Sequence, residues 1–474
     1  MADMSPILIW YRRDLRLGDH PALHAAAESG RAVIPVFIHD ETVEALGAAP
    51  KMRIGAGVAH LAQALEVKGS RLILRRGRAL DVLQALIAET GAGAVYWTRC
   101  YDPEAVARDA KVKATLKEKG IEARSFGGHL LFEPWTVQTG TGSYYKVYSP
   151  YWKAVRGRTV EAPLPAPETL CAADSWPESD ALESWQMEGA MRRGADVLRP
   201  YMVVGEHAAQ ERLARFIDAK VNRYAAQRDL PAVDGTSGLS ENLAWGEISP
   251  HQCWHAGMRA MQDGAQGAET FLKELVWREF AYHLVHHTPQ ITTRCWRAEW
   301  EAFPWSTDET RDAVQRWKQG RTGMGFVDAA MREMYVTGRM HNRGRMIVAS
   351  YLTKHLMADW RIGQRWFAEC LIDWDPASNA MGWQWAAGCG PDAAPYFRVF
   401  NPETQLKKFD PDGTYSRAWI AEGTRTPAVT ALAYFDAVPK SWGLTATQGY
   451  PLRPIVSAED GRRIALSAYE NRHF

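Results

Sequence analysis

The sequence has no pair of cysteines spaced like a metal site or a redox motif. Its six cysteines stand singly along the chain, at Cys100, Cys171, Cys253, Cys295, Cys370 and Cys389. Zinc and iron–sulfur centres need closely spaced thiolates, so we expect no bound metal. Scattered thiols are typical of a reducing compartment, and the protein is therefore predicted to be cytoplasmic.

Long apolar runs and an excess of charge of one sign are also missing. No stretch is apolar enough to span a membrane, and residues 1–6 lack the pattern of a signal peptide, so no membrane association is expected. The net charge is +1, which means that a nucleic-acid surface would need its basic residues clustered on one face. A chain of 474 residues is long enough for at least two domains.

The chain up to residue 130 alternates short apolar segments with helical patterns. Strands are predicted at 7–11, 32–38, 71–75 and 94–98, with a fifth candidate at 121–126, and helices at 21–29, 53–68, 79–90 and 103–119. This alternation predicts an α/β domain with a parallel, Rossmann-like sheet, which binds ligands at the carboxyl ends of its strands. No Gly-x-Gly-x-x-Gly follows the first strand, so a standard dinucleotide site is not indicated.

The rest of the chain changes character twice. Residues 161–200 are rich in proline, alanine, serine and glycine, which indicates a surface linker, and from residue 206 onward helical periods dominate. We therefore divide the chain into an α/β domain at 1–130, a long linker at 131–200 and an all-α domain at 201–474. The charged residues 12–17, Arg-Arg-Asp-Leu-Arg-Leu, follow the first strand and by themselves predict a solvated loop.

Four segments of the all-α domain carry chemistry. Residues 234–240 read as a turn entering a helix, whose amides suit a phosphate, although N-capping by Thr236 or Ser237 explains them equally well. In 271–280, helical spacing places Glu274, Trp277 and Arg278 on one face. That face presents either a ligand surface or a surface ion pair of Glu274 with Arg278.

The other two segments lie further along the chain. At 341–346, Asn342 and Met346 share a helix face, and Arg345 lies on the adjoining face. Residues 373–388 combine two acids, an amide and two tryptophans with small residues. Such a set could accept the hydrogen bonds of a polar ring and let a flat ligand approach the backbone, and a buried aromatic turn is the alternative.

These segments together resemble the DNA photolyase/cryptochrome family. The match runs from Leu8 to about Phe409 and includes Trp-Arg-Glu-Phe at 277–280, His-Asn-Arg at 341–343 and the segment at 373–388. It implies an antenna-binding α/β domain and a helical FAD-binding domain. It also implies a monomer, most like a bacterial cyclobutane pyrimidine dimer photolyase, that repairs UV-damaged DNA, double- or single-stranded, under light.

The resemblance also implies roles for individual residues. The FAD site would comprise Tyr224, Thr236, Ser237, Gly238, Leu239, Ser240, Arg278, Arg345, Asp373, Asp375 and Asn379. The damaged DNA would be contacted by Arg228, Glu274, Trp277, Asn342, Arg343, Met346 and Trp385. Arg345 would pair with Asp373, as its family counterpart does. Glu274 and Asn379 would act in catalysis, the first on the dimer and the second on the flavin. The family usually has Arg at the position of Gly238 and Pro at that of Glu241, so only the backbone role of this loop is carried over.

Three tryptophans match the family's electron relay to the flavin. They are Trp383, Trp360 and Trp305, of which Trp305 is the least secure because of its spacing to Trp317. The alternative is that all three only pack the core. Six basic residues could surround the cavity mouth and contact DNA phosphates, namely Arg294, Arg297, Arg339, Arg343, Lys407 and Lys408.

The antenna chromophore stays open between a deazaflavin and methenyltetrahydrofolate. Asp102 and Glu104 resemble the acidic pair of deazaflavin-binding members, but two acids at a helix start also explain them.

Two other functions remain. A cryptochrome-like photoreceptor is disfavoured by Asn379, since plant cryptochromes carry Asp and animal ones usually Cys there. A (6-4) photolyase is disfavoured by Asn342 and Met346, where such enzymes carry histidines.

Overall fold

The computed structural model describes residues 4–393 and 397–474. Residues 1–6, where no signal peptide is predicted, lie partly outside the described residues. The strands are β1 (Ile7–Tyr11), β2 (Val33–His39), β3 (Ile73–Arg76), β4 (Ala94–Thr98) and β5 (Glu122–Phe126). All pair in parallel, in the order β3-β2-β1-β4-β5, with Ile7 opposite Val33 and Ala94. The predicted α/β class with a Rossmann-like parallel sheet is confirmed.

Helices make up most of the remaining structure. The first are α1 (Pro21–Glu28), α2 (Glu41–Glu44), α3 (Ala48–Val67), α4 (Ala79–Thr90), α5 (Pro103–Glu118), α6 (Tyr148–Val155) and α7 (Gly194–Leu198). Next come α8 (Glu206–Ala219), α9 (Tyr224–Gln227), α10 (Ser240–Ala244), α11 (Pro250–Gln262), α12 (Ala268–His287), α13 (Asp312–Lys318) and α14 (Gly325–Thr337). The last are α15 (Asn342–Ser350), α16 (Trp360–Cys370), α17 (Pro376–Ala387), α18 (Pro402–Phe409), α19 (Thr414–Trp419), α20 (Val429–Ala437) and α21 (Ala458–Glu470).

Shorter turns connect these helices. The 3-10 helices are Pro134–Thr136, Leu182–Trp185, Gly189–Met191, Arg199–Tyr201, Val221–Arg223, Pro289–Thr292, Ala298–Ala302 and Lys440–Trp442, and a π-helical turn lies at Tyr351–His355. The helical half follows the linker as predicted, so the α/β-plus-all-α architecture is confirmed. The division at residues 130 and 200 stays a prediction.

The apolar sequences of the central strands explain why the sheet is buried. Strands β1, β2 and β4 are buried along their whole length, as expected of a parallel sheet covered by helices on both faces. Helix α3 begins at Ala48, five residues before the predicted start at 53, because Pro50 is tolerated in the first helical turn.

The loop after β1 is buried, which corrects the prediction of a solvated loop at 12–17. Arg16 is 1% exposed and donates to the carbonyls of Asp19, Gly128 and Gly246. Gly246 has φ +67°, and a Cβ there would lie 2.1 Å from the Arg13 carbonyl oxygen. This close backbone approach joins the α/β domain to the helical domain and requires glycine.

A second junction between the two domains is ionic. The Arg53 guanidinium, on α3, is fully buried and pairs with Glu241 at 3.1 Å and Glu247 at 2.5 Å. Buried charges are tolerated only when they are paired and hydrogen-bonded. The start of α10 is therefore tied firmly to the α/β domain.

Candidate functional site

Four helical segments are joined into a ring by side-chain contacts. We call these contacts the polar ring: Arg228–Glu274 joins the end of α9 to α12, Tyr282–Asp375 joins α12 to α17, Asp373–Arg345 joins the α17 start to α15, and Arg343–Asp229 joins α15 back to the end of α9. Helical spacing placed each side chain on its face, but the partners are 28 or more residues apart for the first three contacts. Residues from four separate motifs thus meet around one region.

The predicted pairing of Arg345 with Asp373 is present. The Arg345 Nη2 atom donates to both carboxylate oxygens, at 3.0 and 2.7 Å. Two residues on, Asp375 caps α17 by accepting the Ser378 N–H at 2.8 Å, and it also accepts the Tyr282 hydroxyl. Burial alone would raise the pKa of Asp375, but Arg13, Arg278 and these hydrogen bonds lower it, so Asp375 is an anion at neutral pH.

Asn379 lies one helical turn into α17 and is half-buried. Its amide Nδ2 donates to the Gln364 carbonyl at 3.0 Å. That bond leaves the carboxamide oxygen as the group that can accept a hydrogen bond from a ligand.

The loop before α10 suits an anion. Gly238 has φ +65°, α10 begins after Leu239 without a side-chain cap, and the Ser237 hydroxyl accepts only the Leu239 N–H at 3.4 Å. The predicted N-capping by Thr236 or Ser237 is therefore wrong, because the chain turns through Gly238 before the helix starts. Uncapped amides at a helix start are suited to phosphate oxygens.

Arginines surround the same loop. Glu241 is fully buried and is contacted by Arg53, Arg212 and Arg339. With Glu247 on Arg53, three guanidiniums face two carboxylates, which leaves an excess of one positive charge beside this loop. Arg212 also donates to the Gly238 carbonyl at 2.6 Å, and sequence reasoning missed it because it lies on α8, 26 residues away.

On α12, Arg278 does not pair with Glu274, which corrects the ion pair that the sequence left open. Arg278 donates to the His129 carbonyl at 2.7 Å and contacts the His129 ring at 2.8 Å. Burial, then Arg278, lower the pKa of His129 well below its usual value, so the ring is neutral and can accept this bond. Glu274 takes Arg228 as its partner, so Arg228 is not a free cation at the surface.

Helix α15 presents Asn342 and Met346 on one face, as predicted. The Asn342 Nδ2 atom lies 3.8 Å from the Met346 Sδ atom. Arg343 pairs with Asp229 at 2.7 Å and lies over the Phe409 ring at 4.4 Å, so its charge is already compensated. His341 caps the helix, and burial lowers the pKa of His341 to about 4, so it is neutral at physiological pH.

The three tryptophans of the predicted electron relay lie on adjoining elements. Trp383 is buried against Gly363, where a Cβ would lie 2.0 Å from the Trp383 ring, and Gly363 is one turn from Trp360 on α16. Trp360 is fully buried and donates its indole N–H to Cys295 Sγ at 3.4 Å.

Trp305 is half-buried and donates to the Thr353 carbonyl at 2.9 Å. The next residue, Ser306, pairs with Ala358, two residues before Trp360. The Trp317 and Trp383 ring centroids lie 6.2 Å apart, but Trp317 is fully buried, so Trp305 suits the solvent end of the predicted relay better than Trp317 does.

The six basic residues predicted to contact DNA phosphates divide into two groups. Arg339 points to Glu241 and Arg343 to Asp229, so neither is a free surface cation. Arg294, Lys407 and Lys408 are exposed, and Arg297 is half-exposed. Trp385 is half-buried, with Arg398 over its ring at 5.9 Å.

The antenna residues have structural explanations. Asp102 caps α5 by accepting the Ala105 N–H at 3.2 Å, and Glu104 is exposed in the same turn. Next to them, the carboxyl edge of the sheet is bridged by Arg12–Asp109 at 3.1 Å and Arg108–Asp40 at 2.6 Å. In the described part of the chain, no helix is long and apolar enough to cross a bilayer.

Two family models match the chain. Residues 7–168 match the model described as DNA photolyase, and residues 271–471 match the FAD binding domain of DNA photolyase. A deoxyribodipyrimidine photo-lyase of Agrobacterium fabrum is 43% identical over 470 residues, which cover 98% of both chains.

Solved structures resemble the whole chain. A bacterial class III photolyase from Agrobacterium tumefaciens has TM-score 0.91 and 42% identity, covering 99% of this chain and 98% of its own. A cryptochrome from Synechocystis has TM-score 0.85 and 28% identity, covering 99% and 100%. An archaeal photolyase from Sulfolobus tokodaii with two FAD molecules has TM-score 0.80 and 28% identity, covering 98% and 100%.

The buried carboxyl of Glu279 makes stability depend on pH. Burial raises the pKa of Glu279 to about 7 from 4.5, against the opposing effects of Arg278 and of the Phe132 and Leu131 N–H groups. Because the folded protein holds the Glu279 proton more tightly than the unfolded chain does, the protonated group contributes fully to stability below about pH 4.5. This contribution is lost as pH rises through about 7. Glu279→Gln is neutral throughout and should remove up to about 3 kcal/mol of this dependence.

The measurement is the free energy of unfolding by urea from about pH 5 to about pH 8. Comparison with the unmodified protein cancels the contribution of Glu333, whose pKa burial also raises to about 7. Glu269→Gln, on the same helix but exposed, should leave the pH profile unchanged. Parallel profiles for Glu279→Gln and the unmodified protein would mean that Glu279 is ionised in the fold at neutral pH.

Proposed function

The chain belongs to the DNA photolyase family of FAD-binding lyases, and on that premise we propose that it splits cyclobutane pyrimidine dimers in UV-damaged DNA under light. The observation that carries the proposal is the polar ring, which brings Glu274 and Trp277 together with the Asp373–Asn379 segment. A lesion-contacting group and a cofactor-contacting group are needed side by side for this reaction. We expect a cytoplasmic monomer that acts on double- or single-stranded DNA.

The side chains and backbone of this chain fit FAD. The uncapped start of α10, with its excess arginine charge, would hold the diphosphate. Asp373, Asp375, Arg345 and Asn379 would surround the ring system with acceptors and one cation, joined by Tyr224, Thr236, Leu239, Ser240 and Arg278 from the walls. When bound, reduced FAD would supply an excited-state electron to the dimer and take it back once the ring has split, so the reaction is redox-neutral overall.

Other residues would receive the lesion. An enzyme that acts on a paired base takes it out of the helical stack, so the dimer must leave the duplex and enter a cavity. Trp277 and Trp385, both half-buried, offer stacking faces, and Asn342 and Met346 offer a neighbouring polar and apolar contact. The exposed Arg294, Lys407 and Lys408 would hold phosphates without reading sequence.

Glu274 has the chemistry of a hydrogen-bonding group beside the lesion. Its carboxylate is bound by Arg228 and is about one-third exposed, with a relative side-chain accessibility of 32%. A carboxylate accepts hydrogen bonds, so Glu274 would accept one from a pyrimidine ring N–H. That bond would hold the dimer in a fixed orientation for electron transfer.

The direct test compares three substrates under blue light. Fully reduced, FAD-loaded protein should restore thymines from a cyclobutane dimer in an oligonucleotide, and it should leave a (6-4) photoproduct unchanged. Chromatography of the digested DNA measures both reactions, with undamaged DNA as the blank. Absence of ring splitting would favour a cryptochrome-like photoreceptor, which the similarity to the Synechocystis structure keeps as the second candidate. Activity only on the (6-4) product would indicate a (6-4) photolyase, the third candidate.

Replacing Glu274 tests its role. Glu274→Ala should lower the quantum yield of dimer splitting by roughly 2- to 10-fold, because a charge-assisted hydrogen bond is lost. FAD content, read from the absorption spectrum, should not change. Glu269→Ala, on the same helix and paired with Lys273 at 3.1 Å, is the matched control and should repair normally. An unaltered yield in Glu274→Ala would remove this residue from the mechanism.

Replacing Trp383 tests the relay separately from repair. Trp383→Phe should slow light-driven bleaching of oxidised flavin by about tenfold or more, because phenylalanine is much harder to oxidise than tryptophan. Repair by chemically reduced protein should continue. Trp317→Phe, which touches Trp383 at 6.2 Å but lies off the proposed route, should bleach at the normal rate. Persistent bleaching in Trp383→Phe would mean that electrons take another path.

A further inference from the structure

Helix α6, in the segment between the two halves, covers one face of Trp277. The ring centroids of Tyr148 and Trp277 lie 3.6 Å apart and their planes differ by 8°. This is both the closest and the flattest ring pair among the described residues. Tyr148 is 8% exposed, whereas Trp277 is only half-buried.

Tyr148 is held in this position from two sides. Its hydroxyl donates to the Lys273 carbonyl at 2.6 Å, one helical turn before Trp277. Phe280 packs edge-on against both rings, at 5.9 Å from Tyr148 and 5.8 Å from Trp277. Burial and the nearby Glu274 carboxylate raise the pKa of Tyr148, so the hydroxyl stays a donor at physiological pH.

Other residues also anchor α6. Tyr151, Trp152 and Val155 share its buried face with Tyr148. Tyr151 packs on Phe280 at 5.3 Å and on His283 at 4.9 Å, away from Trp277. The stack of Tyr148 on Trp277 therefore has a consequence beyond anchoring the helix: a flat ligand can reach the indole only from its other face.

We propose that Tyr148 is a positioning residue for lesion recognition. Its ring fixes the Trp277 indole so that the open face is presented to the extrahelical pyrimidine dimer, next to Glu274. The segment between the domains thus forms part of the binding site. The inference rests on the proposed function, because it takes Trp277 as the stacking surface for the dimer.

The cost of losing the ring sets the expected effect. An aromatic pair contributes modestly beyond the area it buries, which corresponds to about 2- to 10-fold in an equilibrium constant. Tyr148→Leu keeps apolar bulk but removes the stack, so Trp277 would sample orientations that do not match the lesion. Undamaged DNA does not enter the cavity, and its affinity should be unaffected.

The experiment measures DNA affinity in the dark with FAD-loaded protein. Fluorescence anisotropy gives the Kd for a duplex with one thymine dimer and for the same duplex without it. Tyr148→Leu should raise the dimer Kd by roughly 2- to 10-fold and leave the undamaged Kd constant. Tyr148→Phe keeps the stacked ring and loses only the hydroxyl bond to Lys273, so it should lose clearly less affinity than Tyr148→Leu. Tyr151→Leu, at another buried tyrosine of the same helix, is the matched control and should change neither value.

Three outcomes would overturn the inference. They are an unchanged dimer Kd in Tyr148→Leu, an equal loss for both duplexes, and an equal loss in Tyr148→Phe. The proposed function fails differently, since an unmodified protein with no preference for the dimer would contradict it before any variant is made. Trp277→Ala supplies the reference, and a loss there with normal binding by Tyr148→Leu would refute the role of Tyr148 alone. Thermal unfolding and FAD content verify that each variant is folded.

Discussion

Two buried carboxylates, Asp373 and Asp375, constrain the arrangement of the whole helical domain. A carboxylate removed from water must be paired or hydrogen-bonded, and breaking such a pair costs about 3–5 kcal/mol. The two acids stand on either side of Trp374, and they reach different partners, Arg345 on α15 and Tyr282 on α12. Satisfying both at once draws three helices together around the start of α17. The site follows from that requirement, because Asn379, Glu274 and Trp277 lie on these same helices.

A second electrostatic requirement links the site to the α/β domain. Glu241 stands where the family usually has proline, and it is fully buried, so it needs cations nearby. Arg53 reaches it from α3 and Arg212 from α8. The same arginines therefore hold the domains together and leave positive charge beside the loop at 234–240. The departure at Gly238 has a backbone explanation, since its φ of +65° is a left-handed conformation that favours glycine.

Helical spacing and apolar patterns made much of this structure predictable. Strands at 7–11 and 94–98 and the helix at 79–90 have the predicted bounds, because continuous apolar runs and regular periods are local signals. Shared helix faces were equally predictable, as Asn342 and Met346 demonstrate. The pairing of Arg345 with Asp373 was predicted only because the resemblance to a family supplied the partner. Pairings without such a guide, such as Arg278 with His129, were missed.

The sequence by itself determined which residues face the same side of each element and which segments are strands or helices, since those properties depend on neighbours within a few positions. Only the tertiary structure decided which opposite charges meet. Glu274 had Arg278 one turn away but binds Arg228, because α12 turns Arg278 toward His129 and burial makes a distant, well-placed partner better than a near one. The loop at 12–17 is buried for the same reason. Its arginines donate to carbonyl oxygens in both domains, and no local pattern in the sequence reveals these partners.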